Sequence, residues 1–371
     1  MEKLVTMFAE TFRNKTVWLS GHTGFKGAWL AHWLLELGAD VHGYALEPDT
    51  KPSLFDQLGL GKRLHHQIAD VRDAGAVKKS IRVAQPDFVF HLAAQPLVRL
   101  SYEQPVETYE TNVMGTIHVM EALRNLKKNC AAVLITTDKC YENREWLYGY
   151  REEDPLGGYD PYSSSKAAAE IAIAAWRRSF FKSHPVKIAS ARAGNVIGGG
   201  DWATDRIVPD CVRALNKKQP IAVRNPNSTR PWQHVLEPLS AYLWLAARLS
   251  QASASNPQFA SAFNFGPAHE AIRTVSELVE EVLKHWPGRW ENKSDAKAVH
   301  EARLLQLATD KASALLGWSP VWGFPAAVEF TIQWYRRVEQ KSPAANSKLT
   351  SAQIRDFCAA ARRLGLPWAV S

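Results

Sequence analysis

At 371 residues, 46% hydrophobic and 22% charged, with 14 Trp, 10 Tyr and 14 Phe, the chain has a globular composition that excludes disorder and collagen-like repeats. Against the usual ~100 to 200 residues per domain, this length suggests two domains, or one large α/β unit carrying a lobe. The 45 Lys and Arg exceed the 37 Asp and Glu by 8, a surplus that suits an anionic ligand but is too small and too dispersed to argue for nucleic acid.

In chain order, Thr16–Ser20 reads as a first strand, followed by an apolar stripe at Phe25, Trp29, Trp33 and Leu37 that marks a helix stopped by Gly38. That stripe is assigned to the core rather than to a cofactor. Val41–Leu46, Gln67–Val71, Asp87–Leu92 and Ala131–Thr136 read as further strands with helical stretches between them, then a helix over Pro161–Lys182 and a sixth strand over Val186–Arg192. Alternation of this kind predicts a doubly wound parallel α/β sheet of the Rossmann type. Beyond Gly194 the rhythm breaks into loops rich in Gly, Asp, Asn and Pro, with helices predicted near Pro209–Lys217, at Glu237–Leu249 and at Val275–His285, and a strand at Ala262–Phe265. The expected division is a dinucleotide-binding domain over residues 1–192, a smaller and mainly substrate-binding lobe over 193–340 with segments returning to the sheet, and a linker from Lys341 to Ser347 before a short terminal helix.

Cys130, Cys140, Cys211 and Cys358 show no CxxC or metal-ligand spacing, which fits a reducing, cytoplasmic setting. Residues 1–15 lack the uninterrupted apolar core of a signal peptide, and no run approaches the ~20 apolar residues of a membrane span, so no membrane association is expected. His22, His65, His66 and His91 have no spacing that would assemble a metal site, and no metal is expected.

Directly after the first strand, Gly21-His22-Thr23-Gly24-Phe25-Lys26-Gly27 forms a Gly-x-x-Gly-x-x-Gly turn. Glycines there let the backbone approach a pyrophosphate, and the following helix end supplies N–H donors. The second strand ends in Tyr44, Ala45 and Leu46, where an acid for the ribose of NAD usually stands. Asp70, beside Val71 at the end of the third strand, fits either a hydrogen bond to the adenine amine or a helix N-cap. Tyr162 and Lys166 lie four residues apart on one helix face, where an ammonium beside a phenol favours the phenolate, a base. Thr137, closing the fifth strand, adds a hydroxyl and completes a Thr/Tyr/Lys oxidoreductase site.

The glycine turn, His91-Leu92-Ala93-Ala94-Gln95, Thr111-Asn112-Val113-Met114-Gly115-Thr116 and Tyr162-x-x-x-Lys166 together resemble the extended short-chain dehydrogenases that act on nucleotide sugars. Gly21 to Gly27, Thr137 to Trp146, Gly157 to Ser163 and Arg230 to Val235 are similar to the CDP-glucose 4,6-dehydratases within that family, and the likeness runs from about Thr16 to Tyr335. The resemblance implies that NAD is held by Gly21, Thr23, Gly24, Phe25, Lys26, Gly27, Asp70, Val71, Leu92, Ala93, Ala94, Gln95, Tyr162 and Lys166. It implies CDP-glucose as substrate, with Arg206 and Arg230 on its diphosphate and Asn195, Trp202, Asn264 and His300 as further contacts.

The implied reaction oxidises C4 through Tyr162, Lys166 and Thr137, eliminates water across C5 and C6, and returns the hydride to C6. Asp138 is the implied acid of the elimination and Lys139 the base, with the roles open to being shared or reversed; a lysine base needs a pKa lowered by burial or a neighbouring cation. A homodimer or homotetramer is expected, serving deoxysugar synthesis for bacterial surface polysaccharide. The competing readings are a 4-epimerase or a dehydratase of another nucleotide sugar, and a Rossmann-like binding protein without catalysis. Bulky His22 inside the glycine turn and Ala45 in place of an acid are both expected to weaken NAD. The missing acid also leaves NADP open, with Lys26 or Arg63 as partners for its extra phosphate.

Overall fold

In a computed structural model that describes residues 4–252, 257–294, 304–339 and 342–370, alternating strands and helices build a seven-stranded parallel sheet. The strands are β1 (Thr16–Ser20), β2 (Asp40–Ala45), β3 (His65–Ile68), β4 (Phe88–His91), β5 (Cys130–Ile135), β6 (Val186–Arg192) and β7 (Ala262–Asn264). Their order is β7-β6-β5-β4-β1-β2-β3, all pairs parallel. The order reverses between β1 and β4, the crevice where such sheets bind ligands at the carboxyl ends of their strands.

Because side chains alternate along a strand, each central strand feeds two cores. Val17, Leu19, Phe88, Phe90, Ala131 and Val133 face one layer; Trp18, Val89, Ala132 and Leu134 face the other. Helices α1 (Phe25–Glu36), α5 (Leu236–Ser250), α6 (Phe324–Arg337) and α7 (Pro343–Arg363) build the first layer, with α2 (Ala74–Ala84), α3 (Gly115–Leu123) and α4 (Pro161–Ser179) on the second. Trp29 and Trp33 of α1 are fully buried in the first core, as the apolar stripe predicts.

Two sequence expectations are corrected here. The third strand starts at His65 rather than Gln67; it is a sheet edge with all four residues exposed, so it lacks the apolar run that marks interior strands. Residues 342–347 of the segment expected as a linker are instead the cap and first turns of the 21-residue α7, with the Ser342 hydroxyl accepting from the Ala345 N–H and Pro343 in the first turn; Lys341 lies outside the described residues. A proline there is pre-organised for a helix and costs no hydrogen bond. Among the described residues no helix is long and apolar enough to cross a membrane.

Four histidines lie buried in this framework: His22, His32, His91 and His234. Burial lowers them from 6.5 to about 4, 3, 3 and 3, helped by His66 at His22, Arg63 at His32 and Lys166 at His91. Between those values and 6.5 the unfolded chain binds protons that the folded chain refuses, so their contribution to stability falls as pH drops through that window. At about 1.4 kcal/mol per histidine per pH unit the four together approach a slope of about 5 kcal/mol per unit, against a usual total stability of about 5–15 kcal/mol. The melting temperature is therefore expected to fall steeply below about pH 6. A melting curve unchanged between about pH 7 and pH 5 contradicts this.

Candidate active site

The glycine turn sits over the carboxyl ends of β1 and β4. Gly21 has φ +76°, and a Cβ there would lie 2.7 Å from the Ala93 nitrogen; at Gly27 it would lie 2.0 Å from the Gly21 carbonyl oxygen. Both positions demand glycine. Gly24 caps α1 without a side-chain hydrogen bond, which leaves the first-turn N–H groups available to an anion. Thr23 donates to the Leu46 carbonyl (2.9 Å), tying the turn to the end of β2. Behind it, the Ser20 hydroxyl lies 2.7 Å from His91 Nδ1 and accepts from the N–H groups of Leu92 and Ala93, while His91 Nε2 reaches Thr116 (3.2 Å).

Gln95 spends its side chain on its own loop, donating to Thr108 and accepting from the Leu97 N–H. Asn112, inside a π-helical turn over Glu110–Met114, accepts from the Gln95 N–H (2.9 Å) and donates to Ser165 (2.9 Å), joining this loop to α4. Asn112 was not singled out as a site residue from sequence, although its motif was; a buried Asn in a helix interrupted by a π turn is the signal that would have marked it.

Several cofactor-side residues are placed differently from expectation. The His22 ring is fully buried, with Nε2 2.7 Å from His66 Nδ1, in space that Gly43 leaves open: a Cβ on Gly43 would fall 2.5 Å from it. The ring is thus packed against β2, and it does not crowd the turn. Asp70 is not a helix N-cap, since Asp73 caps α2 by accepting from the Ala76 N–H. Its carboxylate holds Arg72 through Nε (2.8 Å) and the Arg72 N–H (2.8 Å), and although burial opposes this, these bonds keep its pKa below the usual range. Val71 is buried beneath Gly115, leaving only its backbone for a ligand. Arg63 is engaged with His32 (3.0 Å) and Ser347 (3.1 Å), so it anchors α7 and is not a free phosphate partner.

The reacting groups converge at the end of β5. Asp160 caps α4 by accepting from the Ser163 N–H, and Pro161 starts the helix that carries Tyr162 and Lys166. Thr137, beside the Tyr162 phenol, donates to Asp138 Oδ1 (2.9 Å), while Asn195 donates to Asp138 Oδ2 (3.1 Å). Asp138 is 1% exposed. A Cβ on Gly194 would fall within 2.1 Å of its carboxylate, so the glycine before Asn195 makes room for the acid.

Tyr162 is pushed up to about 12, by burial and by Asp138, with the Thr137 hydroxyl and the Arg206 guanidinium pulling the other way. Burial lowers Lys166 to about 8 against the pull of Glu170, and its ammonium donates to the Ile135 carbonyl (3.4 Å). A cation that bears on Tyr162 is Arg206, itself paired with buried Asp201 at 2.8 Å. Lys26 is lowered to about 8 by burial and by Arg206 and Lys166, offset by Asp138 and Asp201. Its ammonium thus feels the charges of Arg206, Asp138 and Lys166, a placement that the glycine motif alone does not reveal. Lys139 is only partly buried, and the burial expected of it falls on Lys166 and Lys26.

On the substrate side, Asn264 is fully buried, accepts from Tyr141 (2.7 Å) and donates to the Tyr150 carbonyl (2.8 Å). It belongs to a network in which Arg192 donates to Tyr141 (2.6 Å) and Glu170 (2.8 Å). Trp202 donates to Gln57 (2.9 Å) and meets Tyr335 edge-on, packing within the fold. Arg230 lies on a short strand, Thr229–Pro231, paired with Ile272–Thr274. His300 falls outside the described residues.

The Arg192–Glu170 pair is almost wholly buried. Removing one partner leaves a charge without compensation, so Glu170→Gln is expected to cost about 3–5 kcal/mol. Combining it with Arg192→Met should recover much of that loss, as denaturant midpoints of the single and double variants will read. Equal midpoints for wild type and Glu170→Gln contradict the assignment.

A glycine turn, a lysine-backed tyrosine and a threonine at the end of the central strand define a short-chain dehydrogenase/reductase site. Residues 19–331 match the family model described as GDP-mannose 4,6 dehydratase, and the chain belongs to that family. It is 48% identical over 332 residues to a CDP-glucose 4,6-dehydratase of Salmonella typhimurium, covering 88% of this chain and 91% of that protein. Identity to a dTDP-glucose 4,6-dehydratase of Shigella flexneri is 26%, over 85% and 91% of the two chains. Among solved structures, a dTDP-glucose 4,6-dehydratase of Streptomyces venezuelae with NAD bound superposes with a TM-score of 0.73 at 20% identity, covering 88% of this chain and 97% of that one. A UDP-glucose 4-epimerase of Thermotoga maritima gives 0.72 at 19%, covering 86% and 98%. At these identities the two structures establish the fold.

Proposed function

We propose that the chain is an NAD-dependent CDP-glucose 4,6-dehydratase, converting CDP-glucose to CDP-4-keto-6-deoxyglucose. The observation that carries this reading is the buried Asp138 carboxylate, fixed by Thr137 and Asn195 beside the Tyr162 base. An oxidation alone needs Tyr162; an acid set beside it serves an elimination, which a 4-epimerase does not perform. The 48% identity to the Salmonella enzyme supports CDP-glucose in particular.

The glycine cradle and the uncapped start of α1 fit the pyrophosphate of NAD, with Thr23, Phe25, Lys26 and the backbone of Val71 and Leu92–Gln95 around it. When bound, NAD supplies the acceptor for the C4 hydride and later its donor to C6. Tyr162, assisted by Lys166 and Thr137, takes the C4 hydroxyl proton, and Arg206 lowers its affinity for that proton. The resulting ketone acidifies C5–H; Lys139 removes that proton and Asp138 donates to the departing C6 oxygen. Arg206 and Arg230 take the substrate diphosphate as planar cations, and Asn195 orients Asp138 while facing the sugar.

Residues 1–192 carry the cofactor and 193–340 mainly the substrate. The four cysteines are free and buried, in keeping with a cytoplasmic enzyme of deoxysugar synthesis for O-antigen or lipopolysaccharide. Exposed Val106, Tyr109 and Met114, grouped just before α3, support a homo-oligomer. Incubation with CDP-glucose, dTDP-glucose, UDP-glucose and GDP-mannose tests the reading: a 4-keto-6-deoxy product is expected from CDP-glucose first. Turnover of none of them, or plain epimerisation, refutes it.

NAD is expected to bind loosely, because Ala45 gives the ribose no carboxylate; a hydrogen bond to a charged group contributes about 1.5–3 kcal/mol, roughly ten- to a hundredfold in affinity. Added NAD should raise the activity of purified protein, and Ala45→Asp should tighten binding. His22→Gly, by contrast, empties a packed site and should lower the melting temperature without tightening NAD. Calorimetric titration with NAD and NADP reads these outcomes; retention of NAD through purification, or preference for NADP, contradicts them.

A further inference from the structure

At the amino-terminal end of the sheet, opposite the cofactor, β2 and β3 bring together three groups that sequence spacing keeps apart. His42 and His65 are direct cross-strand partners, with rings stacked 4.3 Å apart at 20°. Both turn Nε2 toward Asp40 at the start of β2: His42 Nε2 lies 3.2 Å from Oδ2 and His65 Nε2 3.1 Å from Oδ1. All the donor atoms lie within 4.8 Å of one another, and Asp40 and His65 are about half or more exposed. His42 and His65 are 23 residues apart along the chain, so spacing alone does not join them; parallel pairing removes that distance.

We propose that Asp40, His42 and His65 form a binding site for a borderline divalent transition-metal ion of the Zn²⁺, Ni²⁺ or Cu²⁺ class, clamping the edge strand β3 to β2. Ligands about 2.0–2.2 Å from a shared ion stand roughly 3–3.5 Å from one another in a tetrahedral set, the separation each imidazole already has from the carboxylate. Two imidazoles with one carboxylate select these ions over Mg²⁺ or Ca²⁺, which prefer all-oxygen sets. The fourth position faces solvent and takes water. Exposure of the two outer ligands gives the ion an entry path and lets His65 adjust with little resistance.

The clamp falls where the sheet is weakest. All four residues of β3 are exposed, and the strand has a sheet neighbour on one side only. The next residue, His66, holds His22 beneath the glycine turn, so an ion at His65 steadies the strand that supports that turn. The site shares no residue with the catalytic group.

The test is calorimetric titration of the tag-free full-length chain with ZnCl₂ near neutral pH, with MgCl₂ as control, on wild type, His42→Ala, His65→Ala and Asp40→Asn. One Zn²⁺ per chain is expected, weakened about tenfold or more by each histidine variant, with no heat from Mg²⁺. Zn²⁺ should raise the melting temperature of wild type and leave that of His65→Ala in place, while turnover of the variants stays at the wild-type level. No saturable Zn²⁺ binding, or equal binding by wild type and His65→Ala, overturns the site and means that Asp40 only hydrogen-bonds the two rings. Neither result bears on the dehydratase reading, which the product assay decides separately.

Discussion

Tyr162→Phe is expected to lower turnover by about 10²–10⁴-fold while leaving CDP-glucose affinity within a fewfold of wild type. The phenol is the group assigned to accept the C4 hydroxyl proton, and phenylalanine keeps the ring in its buried seat on α4. Because the variant removes a contact made in the transition state, kcat falls and KM changes little. Burial pushes the phenol up to about 12 even with the Arg206 charge pulling it down, so that cation favours the ionised base. In a slower series, Arg206→Met should therefore move the pH profile upward, since removing a cation raises the pKa of the group that must ionise. A Tyr162→Phe enzyme running near the wild-type rate removes Tyr162 from the mechanism.

Asp138→Asn and Lys139→Met are expected to halt the reaction between its stages. Oxidation needs Tyr162 and elimination needs the acid and base at the end of β5, so losing the second pair leaves reduced nicotinamide accumulating in a single turnover while the dehydrated product is absent. A loss of about 10²–10⁴-fold in overall rate follows from removing a general acid or base. Asp138 also accepts from Thr137 and Asn195, so the amide variant keeps its volume but reverses one of those hydrogen bonds. For that reason Lys139→Met, whose side chain has no ion-pair partner among the described residues, is the cleaner probe. Normal overall speed in both variants means that the elimination pair is misassigned.

Most of this site could be read from the chain because its signals are local. The glycine turn follows a strand and opens a helix, Tyr162 and Lys166 share one helix face, and Thr137 to Lys139 close a strand, so each motif carries its own structural context. The interior strands were legible for the same reason: Thr16–Ser20 and Val186–Arg192 are buried runs found at the predicted bounds. What escaped depends on partners distant in sequence. Asn264 accepts from Tyr141, 123 residues away, and nothing near it announces that. Trp202 is held by Gln57, 145 residues away. The His22 ring turns under β2 because Gly43 leaves room there, a fact of packing that no turn motif contains. Pro343 looks like a break and is instead the first turn of a helix, since proline is disruptive only after that turn.

The most direct test of the account is the fate of hydrogen from C4. CDP-glucose carrying deuterium at C4 should give a 4-keto-6-deoxy product with the label in the new C6 methyl group, because one enzyme-bound cycle oxidises C4, eliminates water and returns the same hydride. Label restored to C4, as in an epimerase, or lost to solvent would contradict it.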